Sequence, residues 1–355
     1  MELSWDQDAA SADGSVPSLG QDGAVTTEAS SPVETPPSCQ AGGPGMTNCG
    51  AASESCCTSL DVPGGTYYRT YDNDGSGPTN ETDPATVSGF RLDRYLVTVG
   101  RFRQFVNAID GGWLPPAGSG KHTHLNGGLG LVNVGTSPDV GTVYETGWVT
   151  SDNSRIELGW TEGAGQTWTP SPGAKEALPI NSVTWYEAYA FCIWDGGFLP
   201  SESEWEYAAA GGSQQREYPW GSTDPGTGNQ YAIYGCNYPS GSPGYDGSAI
   251  VGICDSNEPD TIPDSRNIAP VGLATLGAGY WGQLDMAGDV PEWSLDLMAT
   301  YVNPCIDCAN MSLGTSRVTR GGAYYSTPDF LHSANRVGDG SPNWDVQGFR
   351  CARTP

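Results

Sequence analysis

Glycine and proline interrupt this chain so often that no long regular element has room to form: 50 Gly and 27 Pro are spread over 355 residues. Glycine costs a helix or strand conformational entropy, and proline removes a backbone donor. The expected fold is therefore one of short helices and short strands joined by long ordered loops. A core remains available, because 12 Trp and 17 Tyr supply large flat side chains that pack among irregular backbone. The ten cysteines are the second constraint. Their even number, without zinc-finger spacing, predicts disulfides and an oxidising compartment.

A formal charge of −26 argues against nucleic acid and anionic lipid as partners and favours cations or basic ligands. No run approaches the about 18 apolar residues of a membrane span. The opening "MELSWDQDAA" lacks the basic and apolar regions of a secretory signal. Taken with the cysteines, this predicts an extracytoplasmic protein, whether periplasmic, cell-surface or secreted, whose leader is not present in this chain.

Residues 1–37 are mostly Ser, Ala, Gly, Asp and Pro without Lys or Arg, a composition that cannot offset its own ordering entropy, and they read as an acidic disordered tether. Residues 38–60 form a Cys-rich segment, with Cys39, Cys49, Cys56 and Cys57 in a stretch too small for its own core. Its disulfide connectivity stays open, with the neighbours Cys56 and Cys57 pairing outward. Residues 61–355 read as a single globular domain. Within it, Val99, Phe102, Phe105, Val106 and Ile109 recur at helical spacing behind a possible Thr98 cap. Thr184 and Glu187, then Ser201 and Glu204, have capping-box spacing, and the helices they open stop at Gly196 and Gly211.

The stretch "LDMAGDVPEW", residues 284–293, sets Asp285, Asp289 and Glu292 around Gly288. Composition alone leaves two readings: a helix start with acids near its dipole, or a loop that wraps a cation.

Four segments in this order resemble one family, the formylglycine-generating enzymes and sulfatase-modifying-factor domains. They are "FRLDRYLVTVGRFRQFV", "LPINSVTWYEAYAFCIWDGGFLPSESEWEYAAAGG", "LDMAGDVPEW", and "RVTRGGAYYS" with the terminal "GFRCAR". The resemblance implies an α+β fold of C-type-lectin-like type, poor in regular secondary structure and held by calcium and disulfides. It implies structural calcium on Asp285, Gly288, Val290 and Glu292, and a disulfide between Cys192 and Cys351 worth about 4–5 kcal/mol in the chain-entropy model. Cys236 with Cys254 would staple a poorly matching insertion, and Cys305 with Cys308 would close a small ring.

Family members that convert cysteine to formylglycine bind copper(I) through two thiols after the "RGG" turn. Here no cysteine lies between Gly322 and Arg350, and Ser326 holds the position of the first thiol. A hydroxyl is a hard donor and does not replace thiolate toward copper(I), so formylglycine synthesis by that route is not expected. The expected role is a ligand-binding module, for peptide or glycan, with a groove at Tyr324, Tyr325, Ser326, Asn343 and Trp344. The alternative is a non-haem iron or copper oxidoreductase built on His122, His124 and His332, the three histidines of the chain. His-x-His in extended backbone puts both rings on one side, and a third histidine would complete a set for a transition metal.

Overall fold

The computed structural model describes residues 35–71, 81–156, 165–239, 254, 265–339 and 346–355. Four α-helices are present among them: α1 (Pro37–Gln40), α2 (Val99–Asp110), α3 (Trp185–Trp194) and α4 (Glu202–Ala210). The strands in chain order are β1 (Ser59–Val62), β2 (Gly65–Tyr68), β3 (Pro84–Val87), β4 (Phe90–Asp93), β5 (Val132–Asn133), β6 (Glu292–Leu297), β7 (Cys305–Ile306), β8 (Cys308–Ala309), β9 (Arg317–Arg320), β10 (Arg336–Asp339) and β11 (Ala352–Arg353). They form small sheets, ordered β1-β4-β11, β10-β9-β6, β2-β3-β7 and β5-β8. This is the α+β architecture that the resemblance implies, built from the short elements that the glycine and proline pattern predicts.

Local signals place the helices. Thr98 accepts from Arg101 N at the start of α2. Thr184 and Glu187 close a reciprocal capping box on α3, and Ser201 and Glu204 another on α4. Gly211 ends α4 in the left-handed conformation. Phe102 and Phe105 of α2 meet Phe191 of α3, Trp168 and Phe349 in one buried aromatic cluster.

Helix α2 also buries two arginines. Arg101 donates to Ser38 Oγ, the Cys56 carbonyl, Asp93 and Asp195, and Arg103 forms a bidentate pair with Glu176. Asp93 and Asp195 are shared with Arg353, so each buried charge has a partner.

The Cys-rich segment does not stand apart. The chain from Thr35 to Pro355 is one compact unit, and Cys39, Cys49, Cys56 and Cys57 share a hydrophobic cluster with Tyr95, Leu96 and Val271. A Cβ at Gly100 would fall 2.5 Å from the Pro44 carbonyl oxygen, so glycine there lets the N-terminal segment lie directly on α2. Of the stretch read as a tether, residues 35–37 already belong to this body, because α1 begins at Pro37 and Ser38 N donates to Asp195. Residues 1–34 lie outside the described residues.

All ten cysteines are paired: Cys39–Cys57, Cys49–Cys56, Cys192–Cys351, Cys236–Cys254 and Cys305–Cys308. The three pairings expected in the domain are present, and Cys56 and Cys57 pair outward as predicted.

Candidate functional site

The site lies where the acidic loop meets the "RGG" turn. Gly288 N donates to the Gly321 carbonyl at 2.7 Å, and Tyr324 N to the Asp289 carbonyl at 2.8 Å, so the two segments are laced together by backbone. Gly288 has φ +80, and a Cβ there would sit 2.3 Å from the Ile233 carbonyl oxygen, which restricts the position to glycine. Asp285 and Asp289 also take positive φ.

Three acids in this loop have different fates. Glu292 is held by Arg350, whose Nε and Nη2 reach its two oxygens at 2.6 and 2.8 Å. Asp285 accepts from Gly272 N, and burial pushes its carboxyl up to about 6 against the pull of that N–H and of Arg350. Asp289 accepts from Ala269 N through Oδ1, while its buried Oδ2 has no hydrogen-bond partner among the described residues. Burial first, and then the Asp285 charge, push the Asp289 carboxyl well above the carboxylate range. A cation would relieve both acids. The set that the resemblance implies, Asp285 and Glu292 with the Gly288 and Val290 carbonyls, is made of the hard oxygen donors that calcium prefers, and Glu292 would have to share its oxygens with Arg350. No three His, Cys, Asp or Glu side chains among the described residues are arranged to hold a metal, so backbone carbonyls would have to complete the shell.

Beside this loop the turn opens into a cavity of about 290 Å³. Its sheet side comes from Thr319 of β9 and from Val337, Gly338 and Asp339 of β10. The 322–330 segment also lines it, with Tyr325, Ser326 and Phe330, as do Pro291, Asn335 and Gln347. Ser326 Oγ accepts from Ala323 N at 2.9 Å, and its carbonyl accepts from Gly235 N. Arg320 reaches the cavity wall, but its guanidinium is committed behind it to Glu202, Glu206 and the Tyr301 hydroxyl at 2.6, 2.7 and 2.8 Å. Burial, only partly offset by Arg320, pushes the Glu206 carboxyl up to about 8.

The expected groove is corrected in one residue. Tyr325 and Ser326 line the cavity. Tyr324 is not among the lining residues: it is fully buried in the cluster of Tyr95, Ile233 and Leu284, with the Tyr325 ring edge-on against it at 5.0 Å. Asn343 and Trp344 lie outside the described residues. Sequence reading puts the groove around "RGGAYYSTPDF" and the 340s, a span that takes in Phe330 and Gln347, and misses Asn335, Val337 and Asp339.

The three histidines do not converge. His122 and His124 do share one side, both against Phe198 with ring centroids 6.3 Å apart. Both nitrogens of His122 are already taken, however: Nδ1 faces Glu145 at 3.1 Å and Nε2 faces Glu204 at 3.0 Å. Burial pulls this imidazole down, but Glu204 and Glu145 outweigh it and hold the ring protonated up to about 10. His124 is half-buried, and burial lowers its pKa. His332 belongs to a different place, edge-on to Tyr218 with Nε2 3.6 Å from Glu217. A protonated imidazole between two carboxylates is an ion cluster and does not offer a lone pair to a metal.

A family profile described as "Sulfatase-modifying factor enzyme 1-like domain" matches residues 47–355. The chain belongs to this family. Among curated relatives of the sulfatase-modifying-factor family, the formylglycine-generating enzyme of Mus musculus is 27% identical over 337 residues, covering 88% of this chain and 79% of that protein. The inactive C-alpha-formylglycine-generating enzyme 2 of Bos taurus is 28% identical over 315 residues, covering 82% and 87%. Among solved structures, PvdO from Pseudomonas aeruginosa aligns over 85% of this chain and 100% of its own at 20% identity, with a TM-score of 0.49. No helix among the described residues is long and apolar enough to cross a membrane.

Proposed function

We propose that this sulfatase-modifying-factor domain is a calcium-stabilised, extracytoplasmic binding module that takes a ligand in the cavity at Ser326 and does not make formylglycine. One observation carries the reading: none of the described lining residues brings sulfur to the cavity wall, since Ser326 stands at the expected thiol position and every cysteine is committed to a disulfide. Relatives of equal similarity carry both active and inactive names, so overall identity does not choose between them. The wall residues support the inactive reading. Copper(I) needs soft ligands, and the Ser326 hydroxyl is hard and already accepts a backbone N–H. Five disulfides support an oxidising location.

The test is direct. The purified chain, supplied with copper(I), oxygen, thiol reductant and a peptide bearing a CxPxR motif, is expected to give no aldehyde by mass spectrometry. Turnover of that peptide to its formylglycine form would overturn the reading.

Calcium has its own measurement. At about 100 times its dissociation constant, a cation bound only to the folded state adds about 2.7 kcal/mol, which raises the melting temperature by about 5 °C. Treatment with EGTA is expected to remove that increment and calcium to restore it, while magnesium does not. An unchanged melting curve would count against Asp285 and Asp289 as ligands.

A further inference from the structure

We infer that the acidic loop and the cavity open and close as one unit, so that cation occupancy of the loop holds the cavity wall in place, and that Asp289 joins the two. This rests on the calcium reading above and adds its consequence for the neighbouring cavity. Pro291, within the loop, lines the cavity itself. Two further lining segments are fastened to the loop by backbone hydrogen bonds. Gly321, between the lining residues Arg320 and Gly322, accepts from Gly288 N, and Tyr324 N, between Ala323 and Tyr325, donates to the Asp289 carbonyl. Gly348 N, next to the lining residue Gln347, donates to the Pro291 carbonyl at 2.8 Å, and Arg350 two residues on is held by Glu292. These attachments all fall within residues 288–292, which contain Gly288, Val290 and Glu292 of the calcium set.

Asp289 has a contact in each direction. Its N–H donates to the Ile233 carbonyl at 2.7 Å, its carbonyl accepts from Tyr324 N, and its carboxylate Oδ1 accepts from Ala269 N at 3.0 Å. Two residues after Ile233, Gly235 N donates to the Ser326 carbonyl, so Asp289 braces the segment of Tyr325 and Ser326 by two routes. Asp285 Oδ2 accepts from Gly272 N, so both carboxylates engage one short stretch, residues 269–272. The second Asp289 oxygen, Oδ2, is buried without a hydrogen-bond partner among the described residues, and the residue is 1% exposed. A buried ionised oxygen left in that state is costly, and coordination to a cation relieves it. The same coordination pins the residue whose main chain holds Tyr324 and Ile233. Parting the wall from the loop then disturbs the cation, and holding the cation suppresses the parting.

The experiment follows amide hydrogen exchange of the full chain by mass spectrometry, in EGTA and in calcium at about 100 times the dissociation constant found by calorimetric titration. An opening that releases the cation is suppressed by that same ratio. Exchange in segments 319–327 and 346–350 is therefore expected to be about 100-fold slower with calcium, while β2 and β3 keep their rates. Asp289→Asn keeps an acceptor for Ala269 N and removes the charge. It is expected to bind calcium about tenfold more weakly, with protection of 319–327 appearing at correspondingly higher calcium. Its unfolding midpoint in EGTA is expected at or above that of the parent, which also shows that the variant is folded. If calcium binds and the 319–327 rates do not change, or if every segment slows alike, the coupling is wrong and the calcium reading survives. Equal calcium affinity in Asp289→Asn and parent, or a midpoint in EGTA well below the parent's, removes Asp289 as the link and overturns the inference. If no calcium binds, the calcium reading falls as well.

Discussion

Replacing His122 by leucine is expected to cost about 3–5 kcal/mol of folding stability, because it leaves Glu145 and Glu204 facing each other in the interior without their shared cation. The ring is fully buried, so water cannot take over its role. The effect should depend on pH in a defined direction. His122 titrates near 6.5 when unfolded and up to about 10 in the fold, so its contribution is complete below about pH 6.5 and is lost as pH rises toward 10. Glu204 runs the other way: burial raises its pKa, but His122 and the Ser201 donors bring it below its ordinary value, so its share is lost as pH falls below about 4.5. Urea unfolding at about pH 6.5 and about pH 9.5 should show parent and variant far apart at the lower pH and closer at the higher. A variant within 1 kcal/mol of the parent at about pH 6.5 would show that the cluster contributes little. Adding Glu145→Met to His122→Leu should recover part of the loss by removing one orphaned carboxylate.

The crosslink between Cys192 and Cys351 should matter as much. Its partners are 159 residues apart, and closing so long a loop in the unfolded chain is worth about 5 kcal/mol in the chain-entropy model. Cys236–Cys254 and Cys305–Cys308 lie inside that loop, but they span 18 and 3 residues and shorten it only slightly. Cys305–Cys308 itself closes a ring worth about 2 kcal/mol by the same formula. Double alanine variants of the two pairs, compared by denaturant midpoint, are therefore expected to differ by more than twofold in their cost. Equal losses would mean that native packing around each sulfur pair, and not loop closure, sets the effect.

What was legible in the sequence was what is decided within a few residues. Both capping boxes complete themselves over three positions, and α3 and α4 start and stop where Thr184, Ser201 and Gly211 direct. Order along the chain carried the family, and with it the pairing of Cys192 with Cys351. Contacts between distant segments were not legible. Glu204 announces its capping role locally, yet nothing near it in sequence indicates that the same carboxylate clamps His122, 82 residues away. For the same reason His-x-His read as a metal arm: alternation placed both rings correctly against Phe198, while Glu145 and Glu204, which claim the His122 nitrogens, come from later segments. The Cys-rich stretch read as separate because its anchor, Arg101 to Ser38 and Cys56, crosses about half a hundred residues and sits on a helix judged by its apolar face.

The backbone at Gly235 and Cys236 donates to the Ser326 and Tyr324 carbonyls, so the disulfide that begins at Cys236 is moored directly to the rim of the cavity. Foreign sequence spliced between Cys236 and Cys254 would start from a covalently fixed post next to the cavity. If the cavity takes a ligand, that makes Cys236 a natural base for grafted recognition loops, because its backbone is hydrogen-bonded to the same segment that lines the cavity.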